Sequence, residues 1–445
     1  MRILILLISM TLFILPKAIS QYMVEWSKDF STGGKVSIDK AQFIIIDSEG
    51  NIIITGVTNS NGLGDDITTV KYDKSGKEIF VAFYNGPGNF NDRPHGIAVD
   101  QFSNVYVTGS STGDKGTSTD IVTIKYNSAG VEQWAERIAA KGGTLDESWS
   151  IVTDNNANVY ITGNTAHFVT GNSGMDWITV KYNTNGKKIW STGYDDGITS
   201  DRARALAIDP MDNVYVTGQC NAPAYHIATI KYDTSGKQQW IKKYDGTAVS
   251  DDKPIDIKVD NMGFVYFTGY SSEISKDIIT IKYDNNGNEI WRKTFNGLAN
   301  QSDEPERMSI DGDGNVYILG FSTLKKNVRN RCLIKYDKSG KEEWQIYSDK
   351  STSSNIEQLS MLFDKDGNIL INGSSKIIAD KLPTEFMIDC YSKNGTLLWQ
   401  TYFTLENTIP VASAMAMDEE GNIYVTGFIM GTKGFYDYCT VKFSK

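Results

Sequence analysis

Cysteine and histidine are scarce in this chain, and their scarcity closes several routes at once. Four cysteines, Cys220, Cys332, Cys390 and Cys439, are too few and too irregularly spaced to be a disulfide framework for 445 residues. Free, buried thiols are expected, with a Cys390–Cys439 bridge the one pairing left open. With only three histidines, neither a metal centre nor a nucleophile–base set can be picked out from the sequence alone, which assigns no metal, no cofactor and no catalytic residue. An excess of basic charge is also absent. At a net charge of −10 the surface repels nucleic acid and anionic lipid, and neither is an expected partner.

Long apolar runs are missing after Leu15, so no transmembrane segment is expected in the mature chain. The run before it, Ile3 to Leu15, follows Arg2 and is too short to span a bilayer. Ala18 and Ser20 supply the small residues of a cleavage site before Gln21. Residues 1–20 therefore read as a signal peptide and residues 21–445 as an exported chain, bound for the periplasm, the cell surface or the medium. No cysteine follows the cut, which argues against a lipid anchor.

What the sequence has in abundance is repetition. A glycine closing a V-T-G-type run recurs at Gly56, Gly109, Gly163, Gly218, Gly269, Gly320, Gly373 and Gly427, roughly every 53 residues. A second landmark, an aromatic after an I-K-Y-D-x-x-G-type run, recurs at Trp26, Phe80, Trp134, Trp190, Trp240, Trp291, Trp344 and Trp399. Each copy contains four short β-branched and aromatic segments, called a, b, c and d below, with no helical spacing. Strands a to c are apolar at both odd and even positions, as at Val105, Tyr106 and Val107, so both faces of each sheet must be covered.

Connection lengths separate two faces. The a–b and c–d spans are constant and carry Asp, Asn, Ser and Gly in the order that tight turns need, as at Gly236. The b–c and d–a spans vary. In an up-and-down sheet these share one edge, so one face is uniform and the other variable, and recognition is expected on the variable face. The chain opens on a lone d-type strand, Val24 to Phe30, and ends on a c-type strand, Tyr438 to Phe443. Pairing the two completes the last copy. The expected fold is all-β, a single eight-bladed β-propeller of four-stranded antiparallel blades over 21–445, closed by its N-terminal strand on its C-terminal strand. A monomer is expected.

The pattern D-x-x-G-N-x-Y-V-T-G followed by T-I-K-Y-D-x-x-G-x-x-x-W, as in Asp311 to Gly320 and Thr280 to Trp291, resembles the bacterial β-propeller repeat known as SBBP. That resemblance implies the fold and an exported or cell-surface setting, and no single activity. The blade count and turn motif are more distantly similar to quinoprotein dehydrogenase propellers, without the adjacent cysteine pair that those enzymes place over the quinone.

Residues repeated in every blade read as scaffold. Trp26, Trp134, Trp190, Trp240, Trp291, Trp344 and Trp399 are expected as wedges between blades, with Trp240→Ala costing about 3 to 5 kcal/mol. Asp39, Asp92, Asp146, Asp201, Asp252 and Asp303 enter strand a and are expected to cap backbone N–H groups. A companion acidic series, Asp66, Asp120, Asp176, Asp277 and Asp437, opens strand c. The turns at Asp311, Asp313 and Asn315 and at Asp364, Asp366 and Asn368 imitate a calcium loop but lack its closing Glu, and read as hairpin turns.

Residues that differ between blades are the candidates for recognition. Lys325, Lys326, Arg329 and Arg331 make a basic cluster in the sixth b–c connection, suited to a carboxylate, sulfate or phosphate. Trp149, His95, Tyr225 and His226 are expected in variable-face loops, as are His167, Phe168, Phe435 and Tyr436. The resulting expectation is a non-catalytic exported scaffold that binds a protein or a polysaccharide. The alternatives are an exported glycan hydrolase or lyase using carboxylates at the channel mouth, and an envelope-assembly subunit.

Overall fold

The computed structural model describes residues 22–33, 38–59, 64–113, 118–140, 145–166, 174–197, 200–221, 225–246, 251–272, 275–325, 328–352, 359–374, 385–406, 408–431 and 435–445. They form eight four-stranded antiparallel sheets. Seven blades are consecutive in the chain: 40–84, 92–138, 147–194, 202–244, 253–295, 303–352 and 361–403. The eighth joins 408–444 to the N-terminal strand Met23–Phe30, which pairs antiparallel with Tyr436–Ser444 from Met23 opposite Ser444 to Phe30 opposite Tyr438. Among the described residues no helix is long and apolar enough to cross a membrane.

The a strands of neighbouring blades pack on one another around the whole ring and so line a central channel, while the d strands lie outermost. Strands b and c are buried on both faces, as Val105–Thr112 shows at every position. No blade has a core of its own. Each apolar cluster straddles two blades, for example Ile53, Ile67 and Phe80 of the first with Val107, Val122 and Ile124 of the second. The eighth and first blades meet in the same way, through Tyr424, Tyr438, Ile52 and Ile54.

On the uniform face one arrangement ties the blades together. At five joints the Trp of strand d and the Lys of strand c lie side by side and both donate to a single backbone carbonyl in the c–d turn of the next blade. Trp190 alone reaches Thr234 O, Lys181 lying near Asp154 instead. Trp240 Nε1 and Lys231 Nζ reach Asn285 O at 3.0 and 3.2 Å. Trp134 and Lys125 reach Thr184 O at 3.1 and 2.8 Å. Trp291 with Lys282 and Trp344 with Lys335 do the same on Lys338 and Lys393. The lysine stems are buried, and their ammonium groups sit over a tyrosine ring, 5.2 Å from Tyr215 in the case of Lys231. Glycine is required in the receiving turn for two reasons at Gly287: its φ is +78°, and a Cβ there would lie 2.9 Å from the Trp240 indole.

Ring closure uses the same tie. Trp26 Nε1 and Lys442 Nζ both reach Lys74 O at 3.2 Å, joining the N-terminal strand, the C-terminal strand and the first blade at one atom. The eighth blade has no c–d turn, because its strands c and d are the two ends of the chain. Tyr22 takes the turn's place, its ring 4.9 Å from that of Trp399 and its hydroxyl on Gly421 O.

The other repeated glycine has a packing reason. Every a strand except that of the seventh blade shows a β-bulge opposite the b-strand glycine, and the chains close there until a Cβ on Gly109 would lie 1.9 Å from Arg93 O. Beyond that point each a strand ends in an Asp whose carboxylate organises the turn. Asp100 Oδ1 accepts the N–H groups of Phe102 and Asn104, and Oδ2 accepts Asn104 Nδ2 and the Tyr106 hydroxyl. The calcium-like turns are built in this way too, with Asp311 taking Asp313 N, Asn315 N, Asn315 Nδ2 and the Tyr317 hydroxyl.

The repeated indoles keep part of their surface in solvent, Trp291 being the fully buried exception. The cost of Trp240→Ala is accordingly set lower than for a wholly buried ring, at about 2 to 3 kcal/mol. Trp26→Ala should lower the urea midpoint further than Trp240→Ala, because it also removes a contact between chain ends far apart in sequence. Equal midpoints for the two variants would contradict this account of closure.

Candidate binding site in the central channel

On the variable face the acidic series entering strand a is buried and engaged in holding backbone. Asp201 Oδ2 accepts Asp196 N at 2.6 Å from the preceding d–a loop, and Oδ1 accepts Asn221 N at 2.9 Å from the end of strand b. Asp39, Asp146 and Asp252 span the same two segments in their blades. Asp92 and Asp303 accept the N–H groups of Gly86 and Gly297. The backbone N–H of the same residue reaches the previous blade, as from Asp146 to Thr119 O at 2.9 Å. These carboxylates are structural clamps, and their hydrogen bonds hold the loops at the channel mouth.

Three residues further along, the side chain points into the channel, and here the blades differ. The position is Gln42, His95, Trp149, Arg204, Ile255 and Glu306 in blades one to six. Three consecutive members stack. His95 lies 4.8 Å from Trp149 with its ring 7° from parallel, and the Arg204 guanidinium carbon is 4.6 Å from the Trp149 ring centre. His95 Nδ1 donates to Ser148 O at 2.7 Å. Burial holds the imidazole below the ordinary histidine pKa, so the ring is neutral at pH 7 and presents a flat face to the indole.

Arg204 has a restricted, cationic environment. Burial and the Arg307 charge lower its pKa, and Glu306 and Glu147 act on it in the opposite sense. Among the described residues it has no ion-pair partner, and neither have Arg202 or Lys253 beside it. Burial lowers the Lys253 pKa, Arg204, Lys276 and Arg202 add to the effect, and Asp251 acts in the opposite sense. Arg204 thus lies over the Trp149 ring, and among the described residues no ion pair or hydrogen bond takes up its N–H donors, an arrangement suited to a carboxylate or sulfate. In the sixth blade, Glu304 binds Lys276 at 2.8 Å and Arg329 at 3.1 Å.

The expected basic cluster does not assemble. Arg331 is buried between the sixth and seventh blades, 3.0 Å from Asp389, because strand c carries it inward. Arg329 is paired with Glu304 and lies over Phe321. Lys325 is exposed at the end of strand b, and Lys326 lies outside the described residues. His95 and Trp149 were expected in loops but belong to a strands and face the channel. Tyr225 is exposed at the start of a c strand, whereas His226 is buried with Nε2 2.7 Å from Asp196 Oδ2. Phe435 and Tyr436 border strand c of the eighth blade, Lys40 sitting over the Tyr436 ring, and His167 and Phe168 lie outside the described residues. All four cysteines are free and buried, Cys390 and Cys439 sharing one apolar cluster without a bond. Arg204, Arg202 and Lys253 escaped the sequence reading. Aligning the copies three residues past the clamp places Arg204 beside His95 and Trp149.

The fold is a β-propeller with an irregular, cation-bearing channel. Residues 87–115 match the family model described as SBBP, the β-propeller repeat, so the chain is an eight-bladed propeller that carries an SBBP repeat. No curated relative matches the sequence. Among solved structures it is similar to a polysaccharide lyase of family PL25, an ulvan lyase bound to -[GlcA(1-4)Rha3S]-, at 10% identity over 85% of this chain and 94% of that one, TM-score 0.47. It is also similar to the β-propeller domain of the Trilobed protease from Pyrococcus furiosus (10% identity, 82% and 97% covered, TM-score 0.45). A third is a protein of unknown function from Dyadobacter fermentans (8% identity, 95% and 99% covered, TM-score 0.43).

The acidic groups have a pH signature. Burial, with Asp92 and Asp65 nearby, raises the Asp66 pKa from 3.8 to about 6. The folded state therefore takes up this proton before the unfolded chain does, and the group's contribution to stability grows as pH falls from about 6 to about 4. Asp66→Asn should be more stable than the native chain at pH 7, with the difference closing by pH 4. Denaturant titrations at the two pH values measure it, and a constant difference would exclude the buried charge. Calcium should leave the melting temperature unchanged, since the carboxylates of its candidate turns already bind their own backbone.

Proposed function

We propose that this protein is an exported, non-catalytic propeller that binds an anionic polysaccharide at the channel mouth on its variable face. The observation that carries the reading is the Arg204 guanidinium stacked on Trp149, with Trp149 backed by His95 and no acid paired to Arg204 among the described residues. In a chain of net charge −10 the local grouping of Arg202, Arg204 and Lys253 selects an anionic group against a repelling background. A carboxylate or sulfate on a sugar fits the planar fork, and the loops around the mouth supply the remaining contacts. Export rests on the opening segment, Arg2 followed by Ile3 to Leu15 and the small residues Ala18 and Ser20. The clamp carboxylates support a binding rather than a hydrolytic role, because backbone N–H groups occupy them.

Glycan arrays on the purified mature protein test the reading. Uronate-containing or sulfated polymers should be retained and neutral ones not, with binding weakened by salt. Arg204→Ala should lower affinity about tenfold or more, equivalent to about 1.4 kcal/mol, without changing the melting temperature by more than a surface substitution does. Equal retention of neutral and acidic polymers, or unchanged binding by the variant, rejects the proposal. Fractionation of cells that express the full sequence should place the protein outside the cytoplasm.

A further inference from the structure

The fourth blade departs from its siblings at three positions, and the three side chains meet. The first two are cross-strand partners near the open ends of strands b and c. This pair is Thr58 and Asp66 in the first blade, Ser111 and Asp120 in the second, Thr165 and Asp176 in the third, and Ser271 and Asp277 in the fifth. In the fourth it is Cys220 and His226. The third position is the d–a residue whose N–H binds the clamp Asp. It is Gly86, Ala140, Gly246 and Gly297 before the second, third, fifth and sixth blades, but Asp196 before the fourth.

Geometry explains why these positions converge. A Cβ added to Gly86 would lie 2.2 Å from Ser111 Oγ, and one on Gly297 would lie 2.4 Å from Ser322 Oγ. A side chain at this loop position is therefore directed at the b-strand residue that is Cys220 in the fourth blade. There the loop is one residue shorter and the side chain is an aspartate. A carboxylate oxygen of Asp196, the Cys220 thiol and an imidazole nitrogen of His226 all lie within 4.8 Å of one another. Cys220 and His226 are buried, and Asp196 is partly so. The Asp196 carboxylate is oriented from behind, with Oδ1 accepting the Tyr194 hydroxyl at 2.9 Å and the Lys243 ammonium, which leaves Oδ2 towards His226 Nε2 at 2.7 Å.

From this convergence we infer a divalent metal site, made by Cys220 Sγ, His226 Nε2 and Asp196 Oδ2, for a zinc-class ion. Sulfur, nitrogen and oxygen donors together suit Zn²⁺ or Co²⁺ and not the oxygen-seeking Ca²⁺ or Mg²⁺. Three protein ligands leave one coordination position for water or an external donor. Tyr194 and Lys243 act on the carboxylate as orienting groups behind the ligand atoms. The site is separate from the Arg204 stack and stands independently of the polysaccharide reading.

The test is a Co²⁺ titration of the whole mature protein after treatment with chelator and desalting. One equivalent should bind, with a thiolate-to-cobalt charge-transfer band in the near ultraviolet and tetrahedral intensity in the visible, and Zn²⁺ should displace it. Cys220→Ser should abolish the charge-transfer band, while Cys332→Ser should leave it intact. His226→Asn should weaken binding about tenfold or more. The double variant Cys220→Ser, His226→Asn reproduces the Ser322–Asn330 pair that the sixth blade already accommodates, so it provides a folded form lacking two ligands. A band that persists in either Cys220 variant, or a native protein with no band and less than one equivalent bound, overturns the assignment.

Discussion

A single backbone carbonyl, reached from the neighbouring blade by an indole N–H and a lysine ammonium, is the contact on which the ring depends. The blades have no private cores, so their stability lies in the joints, and the apolar joints alone are tolerant of sliding. The shared acceptor removes that freedom. It fixes the height of one sheet against the next, buries the lysine stem, and places the indole over a turn that only glycine fits. Where a member is missing the joint is visibly altered. Phe80 has no N–H to give, and there Lys71 alone reaches Ser128 O. Trp399 has no turn to meet, and Tyr22 covers it instead.

Placing the ties on one face leaves the other free to vary. The c–d turns must keep their length because each positions a carbonyl for its neighbour, and the a–b turns because each Asp organises the backbone of its own hairpin. Among the described residues the d–a and b–c connections are tied at their bases by the clamp carboxylates, so substitutions beyond the clamp leave the joints intact. Both distinctive constellations lie there: the stack of His95, Trp149 and Arg204 on three successive inner strands, and the meeting of Asp196, Cys220 and His226 in one blade. Each arises where ordinary repeat positions receive unusual side chains.

The architecture was legible because repetition makes spacing a measurement. Eight copies of one glycine and one aromatic, two constant spans and a split final copy lead to the closed ring, and the pairing of Met23–Phe30 with Tyr436–Ser444 is the register that follows. The site was less legible. Arg331 looks like part of a basic run, yet alternation along strand c turns it into the joint beside Asp389. His95 and Trp149 are 54 residues apart and stack because equivalent positions of adjacent blades meet at the channel. Cys220, His226 and Asp196 looked unrelated because they come from a strand b, a strand c and the loop before them.

By itself the sequence determined the all-β class, the number of blades, the closure and the division into a constant and a variable face, since all of these follow from local strand and turn chemistry repeated at a fixed interval. Only the tertiary structure decided which charged and aromatic groups face the channel, which are spent on joints, and which converge on a common point. The reason is physical: the blade's bulge and twist set the direction of each side chain, and partners from neighbouring sheets, distant in the chain, settle what that side chain can touch.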